Sequence, residues 1–187
     1  MLSYQHFIHG AASNLIFHYT CPMNELMIIR HAKSSWEDDT LSDFERPLND
    51  RGRREAAEMA QLLAQDAWRP DLIVCSTALR AQQTMAYFRD ALDPDGRIEC
   101  RMEPEIYDAT TATLLDIVNA LPSSSKRVML FGHNPGFSQL LAFLTGEYVD
   151  MPTCASGWVQ MEIEDWIYLY QNCGVLKSFV YPAKKTS

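Results

Sequence analysis

Residues 25–34 read Glu-Leu-Met-Ile-Ile-Arg-His-Ala-Lys-Ser, a short apolar run that ends directly in basic residues. The run at 25–29 has the length and composition of a buried β-strand. Two further apolar runs, at 71–75 and 127–131, also end directly before polar residues. Helical patterns of about 12–16 residues separate such runs, and this alternation predicts βαβ units with a largely parallel sheet.

The rest of the chain supplies the remaining predicted elements. Helices are predicted at 50–66, 78–91, 110–121 and 135–144, and weaker strands at 98–102, 157–163 and 175–181. Residues 164–170 fit either a turn of helix or a strand. No repeat and no linker interrupts the pattern, so we predict a single-domain, three-layer α/β fold with a mostly parallel central sheet flanked by helices. This domain covers residues 23–182, and a short tail, 183–187, follows it.

Composition restricts the classes of function. The chain has 187 residues, of which 16 are basic and 24 acidic, and its formal net charge is −8. Nucleic-acid-binding proteins show the opposite balance, and no apolar run reaches the roughly 18 residues of a membrane helix. We therefore expect neither nucleic acid nor a membrane as a partner. Any anion site must be a local basic cluster in an acidic protein.

The cysteines and the first 22 residues indicate the compartment. The five cysteines are widely spaced and contain no CxxC pair, which is typical of reduced thiols in a cytoplasmic protein. Residues 1–22 lack charged side chains and lack the basic start and continuous apolar stretch of a secretory signal. We expect a poorly ordered extension there. Its possible metal ligands, which show no recognised ligand spacing, are His6, His9, His18 and Cys21.

Chemically capable side chains follow three of the predicted strands. In open α/β sheets ligands bind outside the carboxyl ends of the strands. Arg30 and His31 follow the first strand, Arg80 lies shortly after the second, and His133 follows the third. Each residue alone has an ordinary structural explanation, such as capping or a solvated surface. Together they predict a phosphate site, because a guanidinium group can donate two parallel hydrogen bonds to phosphate oxygens.

Four segments resemble, in order, the motifs of the histidine phosphatase superfamily, the phosphoglycerate mutase-like proteins. They are 30–34 (RHAKS), 46–56 (RPLN and then RGRREA), 76–84 (STALRAQQT) and 132–136 (GHNPG). The match covers about residues 25–182. The RHAKS form and the small size most closely resemble the SixA-like phosphohistidine phosphatases.

The resemblance implies a phosphoglycerate mutase-like fold and a role for each central residue. His31 would be the nucleophile, which forms a phosphohistidine that water then hydrolyses. Arg30, Arg80 and His133 would hold the equatorial phosphoryl oxygens. No metal or organic cofactor is expected, because these fixed cations would take the place of Mg²⁺.

Other residues extend the predicted site. Those expected to contact the phosphate or the substrate are Lys33, Ser34, Arg46 and Asn134. For Lys33 and Arg46 a solvated loop is the alternative. By resemblance to larger relatives, the general acid would be Glu105, with Asp108 as its rival.

The substrate expectation rests on two features. The short gaps between the motifs leave little room for an inserted cap around the site, which favours a phosphoryl group presented on another protein. A leaving imidazole has a pKa of about 6.5, far below that of an alcohol, so a phosphohistidine needs less help from an acid. The expected partner is therefore a phosphohistidine protein, or alternatively a small phosphorylated molecule.

Three other functions remain open from the sequence. The same histidine chemistry could serve a small-molecule phosphomonoesterase or mutase. The site could be a non-catalytic phosphate-binding module. Cys75 and Arg80 also suggest a cysteine-dependent phosphatase, although their spacing is one residue short of the tyrosine phosphatase loop and no glycine-rich loop follows Cys75.

Overall fold

A six-stranded sheet forms the centre of the computed structural model, which describes residues 23–183. The strands are β1 (Asn24–Arg30), β2 (Leu72–Ser76), β3 (Glu99–Glu103), β4 (Arg127–Gly132), β5 (Ser156–Met161) and β6 (Gly174–Val180). They lie side by side in the order β3-β2-β4-β1-β5-β6. The first four strands in this order are parallel, whereas β5 runs antiparallel to β1 and to β6. The predicted, mostly parallel sheet is confirmed.

Four α-helices and three short 3₁₀ helices connect the strands within the described range. The α-helices are α1 (Asp50–Ala64), α2 (Leu79–Leu92), α3 (Thr111–Asn119) and α4 (Gly136–Thr145), and the 3₁₀ helices are Asp43–Glu45, Pro104–Ile106 and Trp166–Tyr168. The last of these shows that the ambiguous segment 164–170 contains a helical turn and no strand. The predictions for residues 1–22, including the four possible metal ligands, and for residues 184–187 lie outside the described residues.

Alternating side chains of β1 build a separate hydrophobic core on each face of the sheet. Leu26 and Ile28 pack with residues of α3 and α4, and Met27 and Ile29 pack with residues of α1 and α2. Each of these four side chains is almost completely buried, which contributes about 1.5–3 kcal/mol per side chain. The two cores show the physical basis of the predicted three-layer arrangement, which is confirmed.

The loop that follows β1 is fixed against the start of α1. Asn49 caps this helix by accepting a hydrogen bond from the Gly52 N–H at 2.8 Å, and its own N–H donates to the Lys33 carbonyl at 3.0 Å. A Cβ atom at Gly52 would lie only 2.1 Å from the Lys33 carbonyl oxygen. A glycine is therefore needed here, because the helix backbone touches the loop backbone.

The described part of the chain contains neither a membrane-spanning helix nor a cluster of metal ligands. Between residues 23 and 183, no helix combines the length and the apolar character that crossing a membrane requires. Over the same range, no group of three or more His, Cys, Asp or Glu side chains could hold a metal ion.

Candidate active site

The sheet topology brings the predicted histidines and arginines to one place. β4 lies between β1 and β2, so the residues that follow these three parallel strands share one edge of the sheet. The ring centroids of His31 and His133 are 5.0 Å apart. Arg80, in the first turn of α2, reaches His31 through its Nε at 3.2 Å. Residues that are distant in sequence thus form one cluster.

The hydrogen bonds of His31 define the tautomer of its ring. Nδ1 lies 2.7 Å from the Ala32 carbonyl, which can only accept, so Nδ1 carries the proton. Nε2 receives the hydrogen bond from Arg80 Nε, which can only donate, so Nε2 keeps its lone pair. A neutral ring with an unprotonated, oriented Nε2 is the form that a nucleophile requires.

Burial and nearby cations keep both histidines neutral. Burial lowers the pKa of His31 to about 4, and the charges of Arg80 and Arg30 act in the same direction, against the hydrogen bond to Ala32. Burial likewise lowers the pKa of His133 to about 3, assisted by His31 and Arg80. At neutral pH both imidazole rings are therefore uncharged.

These shifts predict a measurable titration. We expect the His31 and His133 rings to titrate with midpoints near pH 4 and pH 3 in ¹⁵N-resolved NMR, against about 6.5 for an unperturbed histidine. In the unfolded chain both rings take up protons at higher pH than in the native protein. The free energy of unfolding should therefore fall as the pH decreases from about 6.5 towards 4. A His31 midpoint at the ordinary value of about 6.5 would contradict the effect of burial and of the nearby cations.

His133 is held by a residue that sequence reasoning did not include in the site. Its Nε2 lies 2.8 Å from the Ser76 hydroxyl, at the end of β2, and its buried Nδ1 has no hydrogen-bond partner. The same hydroxyl also accepts the Ala78 N–H at 3.3 Å. Ser76 therefore links the strand end, the start of α2 and the second histidine.

Asp43 is the second residue that the sequence did not indicate. Its Oδ2 accepts from Arg80 Nη2 at 2.8 Å and from the Tyr107 hydroxyl at 3.0 Å, and its Oδ1 accepts from Arg46 Nη1 at 2.9 Å. The Asp43 main-chain carbonyl also accepts from Arg80 Nη1. The position of Asp43 three residues before Arg46, on one helical turn, was the only available signal.

The charge of Asp43 is favoured by these partners. Partial burial by itself raises the pKa of this carboxyl, but the hydrogen bonds from Tyr107, Arg80 and Arg46 and the charge of Arg80 bring it below its usual value. Asp43 is therefore an anion at neutral pH, although about half of its side chain is exposed. Tyr107 also presents its ring to His133, with centroids 5.6 Å apart.

Arg30 and Asn134 meet at one carbonyl group. Arg30 Nη1 donates to the Met151 carbonyl at 2.6 Å, and Asn134 Nδ2 donates to the same oxygen at 3.0 Å. The Arg30 Nε is buried without a partner. Asn134 also binds Asp150 at 3.2 Å, and it accepts from Ser138. Asn134 thus supports the wall of the site beside Arg30.

The residues predicted to extend the site lie in the loop after β1. Arg46 is buried and donates to the Ser35 carbonyl and to the Ser34 hydroxyl, besides Asp43. Ser34 is itself buried and forms a β-bridge with Leu48. Lys33 is half-buried and makes no side-chain hydrogen bond or ion pair within residues 23–183. In this state Arg46 and Ser34 hold the loop together.

The two candidate acids lie in the segment that follows β3. Glu105 is exposed in the 3₁₀ helix Pro104–Ile106, and Asp108 is exposed two residues after that helix. Neither makes a hydrogen bond or ion pair with any other described residue. Of the carboxylates between residues 23 and 183, Asp43 alone is hydrogen-bonded to one of the four central side chains.

The thiol alternative meets a physical obstacle. Cys75 is almost fully buried within β2, and its Sγ donates to the Ser76 carbonyl. Burial strongly raises the pKa of this thiol. A thiolate nucleophile requires the opposite shift, so the site geometry disfavours a cysteine-dependent phosphatase.

Comparisons with known proteins agree with this geometry. The family model described as histidine phosphatase superfamily (branch 1) matches residues 26–146. An uncharacterized chloroplastic protein of Arabidopsis thaliana is 31% identical over 148 residues, which cover 75% of this chain and 68% of the relative.

Solved structures show the same fold. The SixA protein from Agrobacterium tumefaciens is 30% identical, with a TM-score of 0.73, over 86% of this chain and 99% of that one. The protein histidine phosphatase SixA in complex with tungstate has a TM-score of 0.71 at 24% identity, over 84% and 97% of the two chains. With the family model covering most of the domain, the chain belongs to branch 1 of the histidine phosphatase superfamily.

Proposed function

We propose that this protein hydrolyses phosphohistidine on another protein, through a covalent phosphohistidine on His31. The observation that carries the proposal is the unprotonated Nε2 of His31, whose ring is fixed between the Ala32 carbonyl at Nδ1 and the Arg80 guanidinium at Nε2. A nucleophilic nitrogen beside a forked cation is the arrangement that phosphoryl transfer needs.

The first step transfers the phosphoryl group to His31. Nε2 donates its electron pair to phosphorus, and the bond between phosphorus and the substrate imidazole nitrogen breaks. The leaving nitrogen keeps that electron pair, and the ring departs as neutral imidazole because its other nitrogen already carries a proton. Since imidazolium has a pKa of about 6.5, this protonated form is accessible near neutral pH without a strong acid in the protein. Arg30, Arg80 and His133 stabilise the charge on the equatorial oxygens.

The second step restores the enzyme. Water attacks phosphorus opposite Nε2, the phosphorus–Nε2 bond breaks, and orthophosphate leaves. The hydrogen bond from Nδ1 to the Ala32 carbonyl keeps the ring in the same tautomer throughout. Burial and the nearby cations, which keep the ring neutral, also prepare it for the next attack.

Two features support a protein-borne P–N bond as the substrate. Neither Glu105 nor Asp108 makes a hydrogen bond to His31, Arg30, Arg80 or His133, which favours a substrate whose leaving group needs little help from an acid. In addition, α2 begins only three residues after β2 ends, without an inserted cap at that point. The Agrobacterium tumefaciens relative bears the name SixA, as does the protein histidine phosphatase with bound tungstate.

A substrate comparison tests the proposal. We expect kcat/KM on phosphohistidine-containing phosphotransfer domains to exceed that on p-nitrophenyl phosphate or sugar phosphates by about 100-fold or more, because the better leaving group lowers the barrier. Orthophosphate release, corrected for spontaneous hydrolysis with His31→Ala, measures both rates. Faster turnover of a small phosphoester would instead favour the phosphomonoesterase or mutase. Binding without turnover of any substrate would favour the phosphate-binding module.

A further inference from the structure

The Asp43 carboxylate is hydrogen-bonded to Arg80, a cation that we expect to bind the phosphoryl group. The Arg80 guanidinium donates hydrogen bonds from Nε to His31, from Nη1 to the Asp43 carbonyl and from Nη2 to the Asp43 carboxylate. All three guanidinium nitrogens are thus engaged, two of them by a single residue. His31, Arg80 and His133 are each at most 9% exposed, whereas about half of the Asp43 side chain is exposed.

The positions of the carboxylate and of a phosphoryl group conflict. In-line attack brings phosphorus to within bonding reach of His31 Nε2, which lies only 3.2 Å from Arg80 Nε. A phosphoryl group at this place brings its equatorial oxygens within reach of the guanidinium whose Nη2 the Asp43 carboxylate already holds. Two anions close to one cation repel each other, and the burial of Arg80 and His31 strengthens this repulsion. The phosphoryl group and the carboxylate therefore compete for Arg80.

Asp43 can leave Arg80 without unfolding its loop. Arg46 donates to the Ser35 carbonyl through Nε at 2.8 Å and to the Ser34 hydroxyl through Nη2 at 2.9 Å. Neither hydrogen bond depends on the position of the Asp43 side chain. The turn that carries Asp43 is closed separately by Ser42 and Glu45, whose side chains bond each other at 2.6 Å. A side-chain rotation of Asp43 towards solvent breaks three hydrogen bonds from side chains and leaves these anchors in place.

We propose that Asp43 is a specificity-determining residue, whose carboxylate competes with oxyanions for Arg80 and so excludes free orthophosphate and weakly held phosphoesters. A phosphoryl group on a protein is delivered with additional binding energy from the surrounding surface, and this energy displaces the carboxylate. After hydrolysis, the return of Asp43 to Arg80 expels the product. The specificity rests on the function proposed above, but the competition itself does not.

Orthophosphate binding to the free protein tests this competition. We expect Asp43→Asn and Asp43→Ala to lower the dissociation constant of orthophosphate at least about tenfold in titration calorimetry. Asp39→Asn is the matched control. It removes the same charge from the same loop, but Asp39 is exposed and makes no hydrogen bond or ion pair with another described residue. The dissociation constant of orthophosphate for Asp39→Asn should therefore differ from that of the wild type by less than twofold.

The outcomes separate this inference from the proposed function. Unchanged or weaker orthophosphate binding in both Asp43 variants, with native thermal unfolding, would overturn the competition and leave a supporting role for Asp43. Equal tightening in Asp39→Asn would also overturn it, because general charge repulsion would then suffice. Using two replacements excludes a new hydrogen bond from asparagine as the cause. None of these measurements depends on hydrolysis, so a failure of the phosphohistidine assay would be recognised separately.

Discussion

Replacing His31 with alanine should reduce turnover of any substrate by about four orders of magnitude or more. The variant lacks the proposed nucleophile, and removal of a nucleophile from a catalytic set causes losses of this size. The remaining cations can still bind a phosphoryl group, so substrate binding should persist. Single-turnover release of orthophosphate from a phosphohistidine protein, compared with wild type, measures the loss.

The covalent intermediate gives a second measurement of the same prediction. Rapid quenching of the wild-type reaction should reveal phosphate on the chain that is stable in base and labile in acid, as expected for phosphohistidine. The label should be missing from His31→Ala and from His31→Asn, in which shape is better preserved. Hydrolysis at the wild-type rate by either variant would rule out the covalent mechanism. Circular dichroism and thermal unfolding provide the control for folding, because His31 is buried.

Replacing Arg80 with alanine should lower kcat/KM by about 10³-fold. Single donors to transition-state oxygens contribute about 10²–10³-fold, and arginines that stabilise phosphoryl transfer contribute as much or more. Arg80→Lys keeps the charge but loses the planar fork, so it should recover only part of the activity. The control is Arg89→Ala on the same helix, since Arg89 is exposed and forms its ion pair with the exposed Asp90.

The Arg80 variant also has a spectroscopic signature. Removal of this cation should raise the His31 pKa from about 4 towards its ordinary value, because Arg80 is one of the causes that lower it. Burial is the larger cause, so the rise should be partial. An Arg80→Ala variant with wild-type kcat/KM and an unchanged His31 midpoint would show that Arg80 neither binds the phosphoryl group nor acts on the nucleophile.

Local patterns were sufficient to predict the architecture and the centre of the site. The apolar run before Arg30 and its counterparts at 71–75 and 127–131 mark parallel strands, because short apolar runs between helical segments are typical of strands that are buried on both faces. The carboxyl ends of parallel strands meet at one edge, so the sequence also predicted that His31, Arg80 and His133 come together. Strand and helix ends differed by only a few residues, which is typical where end residues fray.

The surroundings of that centre followed only from the tertiary structure. Asp43 bonds Arg80 across 37 residues of sequence and Tyr107 across 64. The hydrophobic pattern of the sequence cannot predict such contacts, because Asp43 lies in the connection between β1 and α1, whose path depends on the burial of Arg46. For the same reason, the exposed position of Glu105 and the bond between Ser76 and His133 could not be read from composition or spacing.

Sequence alone thus determined the order of strands along the chain, the helices between them and the residues placed at the strand ends, since these depend on local hydrophobic pattern and chain direction. The tertiary structure decided which nitrogen of His31 lacks a proton and which hydrogen-bond donors of Arg80 already have acceptors. It also decided that the Asp43 carboxylate is one of these acceptors. These properties depend on distances of about 3 Å between side chains from different elements, and only the packed fold sets such distances.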